Sequence, residues 1–414
     1  MHSPPADPLK SGWYAALGTL QRMASLPQQP QQFSQDWQQL QQNPSQFFAG
    51  LVTEGAVVAE ALEATCQQFS GRAWGDRPLP KYINRPNDQS FLQPYELKNT
   101  QLFGFVLEGS LAQLQKLCDR SLNQPADGSV HYQVAIPYVI LSFQHMGRVS
   151  SLNPPDANRG FLSEKEVAIW VLTLAGKKCG PVFRAERLAW FIPYMFASNE
   201  PIIASGREVC GFPKELGKFK LPDLNQLTQP AHLQALTWKT LSPQTPARWE
   251  TLIQVQAAEP QSEPIKRWQT AAEAGRHLVE LLLSGQNAID IPGWELPFSL
   301  ADDLLTGEVP IVLLKQFRDV VRGDRACYQA IVETPAQLTA LQAGGLLGAE
   351  HLGYQFTVAI GQFASHPLVQ DLGLTTQGSS LQPDSPLQVP VKFAFWVDFD
   401  FQLQNGQIIW EARR

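Results

Sequence analysis

The sequence predicts an α+β, mainly β domain with a curved or closed sheet, and three observations carry that prediction. From about residue 90 to 375, short β-like runs alternate with turns. Only two clear helical segments interrupt them. In the tail, Val391, Phe393, Phe395, Val397, Phe399, Phe401 and Leu403 recur with a period of two, the mark of a strand with one apolar face. Many strands and few helices leave a sheet to bury its own apolar face, by curling or closing.

Taken in order, residues 1–75 form a Gln-rich zone, with Gln28-Gln29-Pro30-Gln31-Gln32 and Gln38-Gln39-Leu40-Gln41-Gln42. Helical stretches are expected at Gly12–Ser25 and Gln46–Phe69, the second with apolar residues at i, i+3, i+4 spacing. Such an extension would cover the main domain, mediate assembly or bind a partner. A Pro-rich connector, Asp76–Pro86, separates it from a domain spanning 76–414. The clearest strands there are Phe103–Leu107, Val134–Phe143, Val167–Leu174, Leu188–Phe196 and Phe356–Phe363. Helices are expected at Leu111–Ser121 and Ala271–Leu283. Within the last segment, 388–414, Asn405-Gly406 signals a tight hairpin turn before Ile408-Ile409-Trp410. That hairpin would complete the main sheet or form an oligomer contact.

Composition narrows the function classes. At 414 residues, 44% hydrophobic and 17% charged, the chain can bury a substantial core. Its net charge of −6 provides no electrostatic reason to expect nucleic acid or an anionic membrane as partner. Five dispersed cysteines in no metal-ligand spacing predict neither a zinc site nor a disulfide framework. Met1–Asp7 lacks a basic stretch leading into an apolar one, and no apolar run approaches the length of a membrane helix. A soluble cytoplasmic protein is expected.

One loop carries chemistry. Ser198 to Gly217 reads SNEPIIASGREVCGFPKELG, with Lys214 directly after Phe212-Pro213 inside a mostly apolar run. A lysine held among apolar side chains loses hydration of its ammonium, which makes the neutral amine available as a nucleophile. Such an amine attacks a ketone and forms a Schiff base.

This loop resembles the signature of the acetoacetate decarboxylase family, in which the lysine after Tyr/Phe-Pro is the Schiff-base nucleophile. The resemblance extends, more weakly and in the right order, over roughly 94–375. It includes Pro94–Phe103 as the opening strand, Ser110–Leu122 as the following helix, Leu313–Lys315 through Ala326–Tyr328 as a later strand pair, and Tyr354–Leu372 as the closing segment. It implies a closed β-barrel or cone, mainly antiparallel, with an apolar cavity holding Lys214. It further implies chemistry without a cofactor or metal, and a homo-oligomer.

The same resemblance assigns supporting residues. Glu164 or Glu166 would supply a site carboxylate, unless Glu164-Lys165-Glu166 is a solvated turn. Arg207-Glu208 would form a buried ion pair or touch substrate, and Phe212 would line the site. Thr100 stands where the family has an arginine and Val139 where decarboxylating members have a glutamate. Arg148 would then anchor a substrate carboxylate, or else stand as a surface charge. Glu215 replaces a second lysine found in many members; in an extended segment it would point away from the pocket. The expected function is a Schiff-base-forming lyase acting on a keto or β-keto acid through Lys214. The alternative is a non-catalytic carrier of a small apolar ligand on the same barrel.

Overall fold

Four long strands, β1 (Tyr95–Glu108), β2 (His131–Ser151), β3 (Leu162–Cys179) and β4 (Val182–Ala197), pair successively antiparallel and form the backbone of the fold. The computed structural model describes residues 81–84, 89–154, 156–179, 182–222, 229–258, 264–283, 309–350, 356–377 and 385–412. The chain divides into two compact units, Met1–Ile83 with Arg413–Arg414 and Asn84–Ala412; the second carries this sheet. The helices expected within 1–75, and the 75/76 boundary, lie outside the described residues.

Between β1 and β2 runs α1 (Leu111–Cys118), continued by a wider turn, Asp119–Asn123. Its end is tied to the next strand by side chains. The Asn123 amide donates to the Tyr132 carbonyl at 2.9 Å and accepts from the Tyr132 N–H at 2.7 Å. After β4 come α2 (Glu200–Ser205), β5 (Lys214–Lys220), β6 (Ala231–Thr237), β7 (Arg248–Ala257) and β8 (Lys266–Trp268). Then follow α3 (Ala271–Leu283), β9 (Ile311–Arg318), β10 (Ala326–Thr334), β11 (Ala336–Ala349) and β12 (Phe356–Ile360). The chain finishes with α4 (Leu368–Leu372), β13 (Leu387–Leu403) and β14 (Gln407–Glu411). No described helix is long and apolar enough to cross a membrane.

Nine strands, in the order β4-β3-β2-β1-β13-β12-β7-β6-β5, close into a ring because β5 pairs back onto β4. That closing pair is parallel (Met195↔Lys214, Phe196↔Glu215), whereas its eight other pairs are antiparallel. Two wings extend the sheet: β9, β10 and β14 from β4, and β11 and β8 from β13. The predicted closed, mainly antiparallel barrel is therefore what forms.

One apolar cluster fills the ring. Phe103, Phe105, Leu141, Phe143, Val167, Ile169, Leu233, Val255, Val358 and Val389 belong to it, all buried. Each such side chain contributes about 1.5–3 kcal/mol through removal from water. Outside that filling, Glu333 of β10 accepts from the Tyr132 hydroxyl at 2.7 Å and from Arg187 Nε at 3.0 Å, so one buried carboxylate ties β10 to β2 and β4.

The tail corrects one expectation. β13 completes the ring, but β14 does not fold back on it as a hairpin. Instead β14 pairs with β10, Ile331 facing Trp410. The Asn405-Gly406 turn leaves the plane of β13 because tertiary partners capture it. The Gly406 N–H donates to Gln93 Oε1 at 3.2 Å, and the Gln404 N–H donates to the Pro335 carbonyl at 2.9 Å.

Candidate active site around Lys214

The loop that presents Lys214 is shaped by local chemistry. Asn199 caps α2, its Oδ1 accepting the Ile202 N–H at 3.1 Å, with Pro201 in the first turn where its missing N–H costs nothing. The helix widens through Gly206–Cys210 and stops at Gly211, whose φ of 88° is left-handed. A Cβ at Gly211 would also stand 2.8 Å from Lys315 Cα. The Phe212 N–H then donates to the Gly206 carbonyl at 2.9 Å and the Lys214 N–H to the Phe212 carbonyl at 2.8 Å. The chain enters β5 with Lys214 as its first residue.

Register decides where the lysine points. Side chains of directly paired residues share a face of the sheet. Lys214 pairs with Met195, Met195 with Ala168, Ala168 with Ser142, and Ser142 with Gly104. Phe103, Phe143, Val167 and Phe196, in the alternate phase, belong to the cluster that fills the ring. Lys214 therefore faces away from that filling, into a separate apolar cluster that includes Met146, Val149, Ile202, Cys210 and Phe212.

Glu164 and Glu166 sit two apart on β3 and so share a face. Both are buried, 1% and 5% exposed, and neither lies in a solvated turn because β3 already begins at Leu162. Lys214, 8% exposed, places Nζ 2.8 Å from Glu166 Oε2 and 5.4 Å from the Phe212 ring centroid. The surround is thus not purely apolar. A carboxylate touches the amine, an arrangement the sequence reading reduced to a choice between two glutamates.

Glu164 accepts hydrogen bonds from the Ser198 N–H at 2.8 Å, the Ser198 hydroxyl at 3.1 Å and the Asn199 amide. It anchors the start of α2 while also lining the pocket. Burial pushes its carboxyl up to about 7; the Lys214 charge opposes this and Glu166 adds to it. The folded protein therefore holds a proton that the unfolded chain releases near the ordinary value of 4.5. The resulting stability is full below about 4.5 and is lost as pH rises through about 7. Glu164→Gln, which cannot ionise, is expected to remove a pH-dependent change on the order of 3 kcal/mol between pH 4.5 and pH 8. Urea denaturation at several pH values reads this directly; an unchanged slope would assign it to other groups.

The pocket, partly open to solvent, has a volume of about 50 Å³, with Phe91, Tyr95, Met146, Glu164, Phe212 and Lys214 among its walls. Gly206 is needed for the lysine to reach it, since a Cβ there would stand 2.8 Å from Lys214 Cδ and 3.0 Å from Cε. Gly206→Ala is expected to slow reaction at Lys214 by about tenfold or more, because about 1.4 kcal/mol of misplacement suffices for that factor. Reductive labelling of Lys214 measures it, and a wild-type rate would show that the side chain has room to move.

The remaining expected residues separate. Arg148 is exposed and stacks over the Phe161 ring at 4.8 Å, away from the pocket walls; a register shift between Met146 and Val149 turns it outward. Arg207 and Glu208 are both exposed, so no buried ion pair forms. Arg207 Nη1 instead donates to the Lys214 carbonyl at 3.1 Å. Glu215 points to the opposite side from Lys214, as extended backbone requires, and meets His366 Nε2 at 3.1 Å. Val139 lies in the ring filling, whereas Thr100 pairs with Met146 on the lysine's face, fully buried. Tyr95, Ser205 and Cys210, which line the pocket, carried no motif. Ser205 and Cys210 fall within the loop that carries Lys214 and Tyr95 within the opening strand, but none was singled out there.

Solved structures similar to this chain include acetoacetate decarboxylase from Legionella pneumophila subsp. pneumophila str. Philadelphia 1, with a TM-score of 0.49, 15% identity, and 81% of this chain and 94% of that chain covered. A second acetoacetate decarboxylase structure gives a TM-score of 0.47 at 16% identity, covering 80% and 96%. An acetoacetate decarboxylase-like enzyme from Sphingomonas wittichii RW1 gives 0.40 at 10% identity, covering 80% and 98%. No protein-family model and no curated protein matches the chain. The likeness to these structures extends over about 80% of this chain.

Proposed function

We propose that this protein is a Schiff-base-forming enzyme in which the Lys214 amine attacks the carbonyl carbon of a small ligand. One observation carries the reading: a buried lysine, the first residue of β5, whose Nζ lies 2.8 Å from a buried carboxylate beside a partly open pocket. Glu166 accepts the proton that the ammonium must lose before attack. The carbinolamine oxygen then leaves as water, and Glu164, titrating near 7, is suited to supply a proton to it. The product is an iminium on Lys214, an electron sink for breaking a bond next to the former carbonyl carbon. Decarboxylation of a β-keto acid and aldol-type cleavage both use that sink.

A non-catalytic carrier is the second reading, favoured by one feature: every oxygen of Glu164 and the Lys214 ammonium already has a protein partner. Borohydride trapping separates the two. Incubation with a panel of carbonyl compounds, reduction and peptide mapping should place an adduct on Lys214, absent from Lys214→Met. A folded wild-type protein that traps nothing from the panel would leave only the carrier.

A further inference from the structure

Charge and hydrogen-bond supply in the pocket restrict what the ligand can carry. We infer that the Lys214 pocket takes a small uncharged ketone or aldehyde in preference to a keto acid; this rests on Lys214 being the nucleophile. Among the described residues lining the pocket, Lys214 is the only cation. Its ammonium is already matched by Glu166 at 2.8 Å, and the iminium that replaces it carries the same charge. Glu164 stands on the same face of β3, 1% exposed. Above about pH 7, where Glu164 is ionised, a ligand carboxylate would add a second negative charge beside these buried acids.

Two of the neutral donors are also committed, whereas the buried Thr100 hydroxyl beside Met146 has no hydrogen-bond partner among the described residues. The Tyr95 hydroxyl donates to the Phe91 carbonyl at 2.6 Å, and the Ser205 hydroxyl to the Pro201 carbonyl at 2.8 Å. Neither is free to replace the hydration that a carboxylate loses on entry, and an anion buried without such donors is strongly disfavoured. Arg148 and Arg207, the cations expected to receive it, are exposed and engaged elsewhere. Thr100, at the position matched to the family's arginine, carries no charge. The cavity, about 50 Å³, has room for only a few water-sized groups. A ligand's apolar end would meet Met146, Ile202 and Phe212.

The chemistry balances without a carboxylate. The amine and the carbonyl condense to C=N⁺ with release of water. Glu166, once it has released the amine's proton to solvent, takes a proton from the carbon next to the iminium. The C–H electron pair becomes the C=C of an enamine, and the C=N⁺ pair returns to nitrogen. Reprotonation from solvent reverses the step, so the expected signature is exchange of that hydrogen.

The test compares borohydride trapping of acetone and butanal with that of pyruvate and acetoacetate, each rate divided by that of N-acetyl-lysine in solution. The neutral compounds should exceed the acids by about tenfold or more, the factor that about one pKa unit of differential interaction corresponds to. Glu164→Gln should narrow that ratio toward one. Acids trapped as well as or better than neutral carbonyls would overturn the inference while leaving Lys214 as nucleophile. A ratio unmoved by Glu164→Gln would count against the electrostatic argument. No adduct from any compound on folded protein would overturn both.

Discussion

Lys214→Met is expected to destabilise the protein by roughly 3 kcal/mol, because it leaves Glu166 buried without its counter-ion. The cost comes from the orphaned carboxylate rather than from any net stability of the pair. Lys214→Met with Glu166→Gln should therefore recover most of the loss, since an amide needs no opposite charge. A double-mutant cycle by urea denaturation measures the coupling. A single-mutant cost below about 1 kcal/mol would mean that the pair behaves as an exposed one. Neither variant should form a reducible adduct, so chemistry and stability are read separately.

Glu333→Ala is the second substitution with a large expected effect, again roughly 3 kcal/mol. Here one carboxylate serves two partners, the Tyr132 hydroxyl at 2.7 Å and the Arg187 guanidinium at 3.0 Å. Tyr132 is fully buried, so its hydroxyl would be left with no acceptor, and Arg187 would lose its bidentate partner. The carboxylate belongs to a wing strand and both partners to ring strands, so the wing should loosen first. Hydrogen exchange on β10 and β14 distinguishes this from global loss. Tyr132→Phe with Glu333→Ala should cost less than the sum of the two, because neither then leaves an unmet hydroxyl.

How much of this was readable in advance follows the range of the interactions. α3 has the bounds expected from its apolar stripe, Ala271–Leu283, and the strands read at Val134–Phe143, Val167–Leu174 and Leu188–Phe196 are segments of β2, β3 and β4. These follow from i, i+2 and i, i+4 patterns, which a chain carries locally. Glu215 was likewise placed correctly, since alternation along extended backbone needs no partner strand. By contrast, Asn405-Gly406 has the local signal of a hairpin, yet β14 pairs with β10. The bonds from Gly406 to Gln93 and from Gln404 to Pro335 span long sequence separations, and they outweigh a two-residue preference.

The sequence by itself determined that Lys214 directly follows Phe212-Pro213 and that its neighbours are mostly apolar. That is local covalent information, and it sufficed to single out Lys214 as the residue proposed to be the nucleophile. Only the tertiary structure decided which face of the sheet Lys214 occupies, that Glu166 and not Glu164 touches its Nζ, and that Arg148 points elsewhere. Each of these depends on strand register, and register is set where β5 closes the ring on β4. A shift of one residue there would turn Lys214 toward the ring filling and Glu215 toward the pocket.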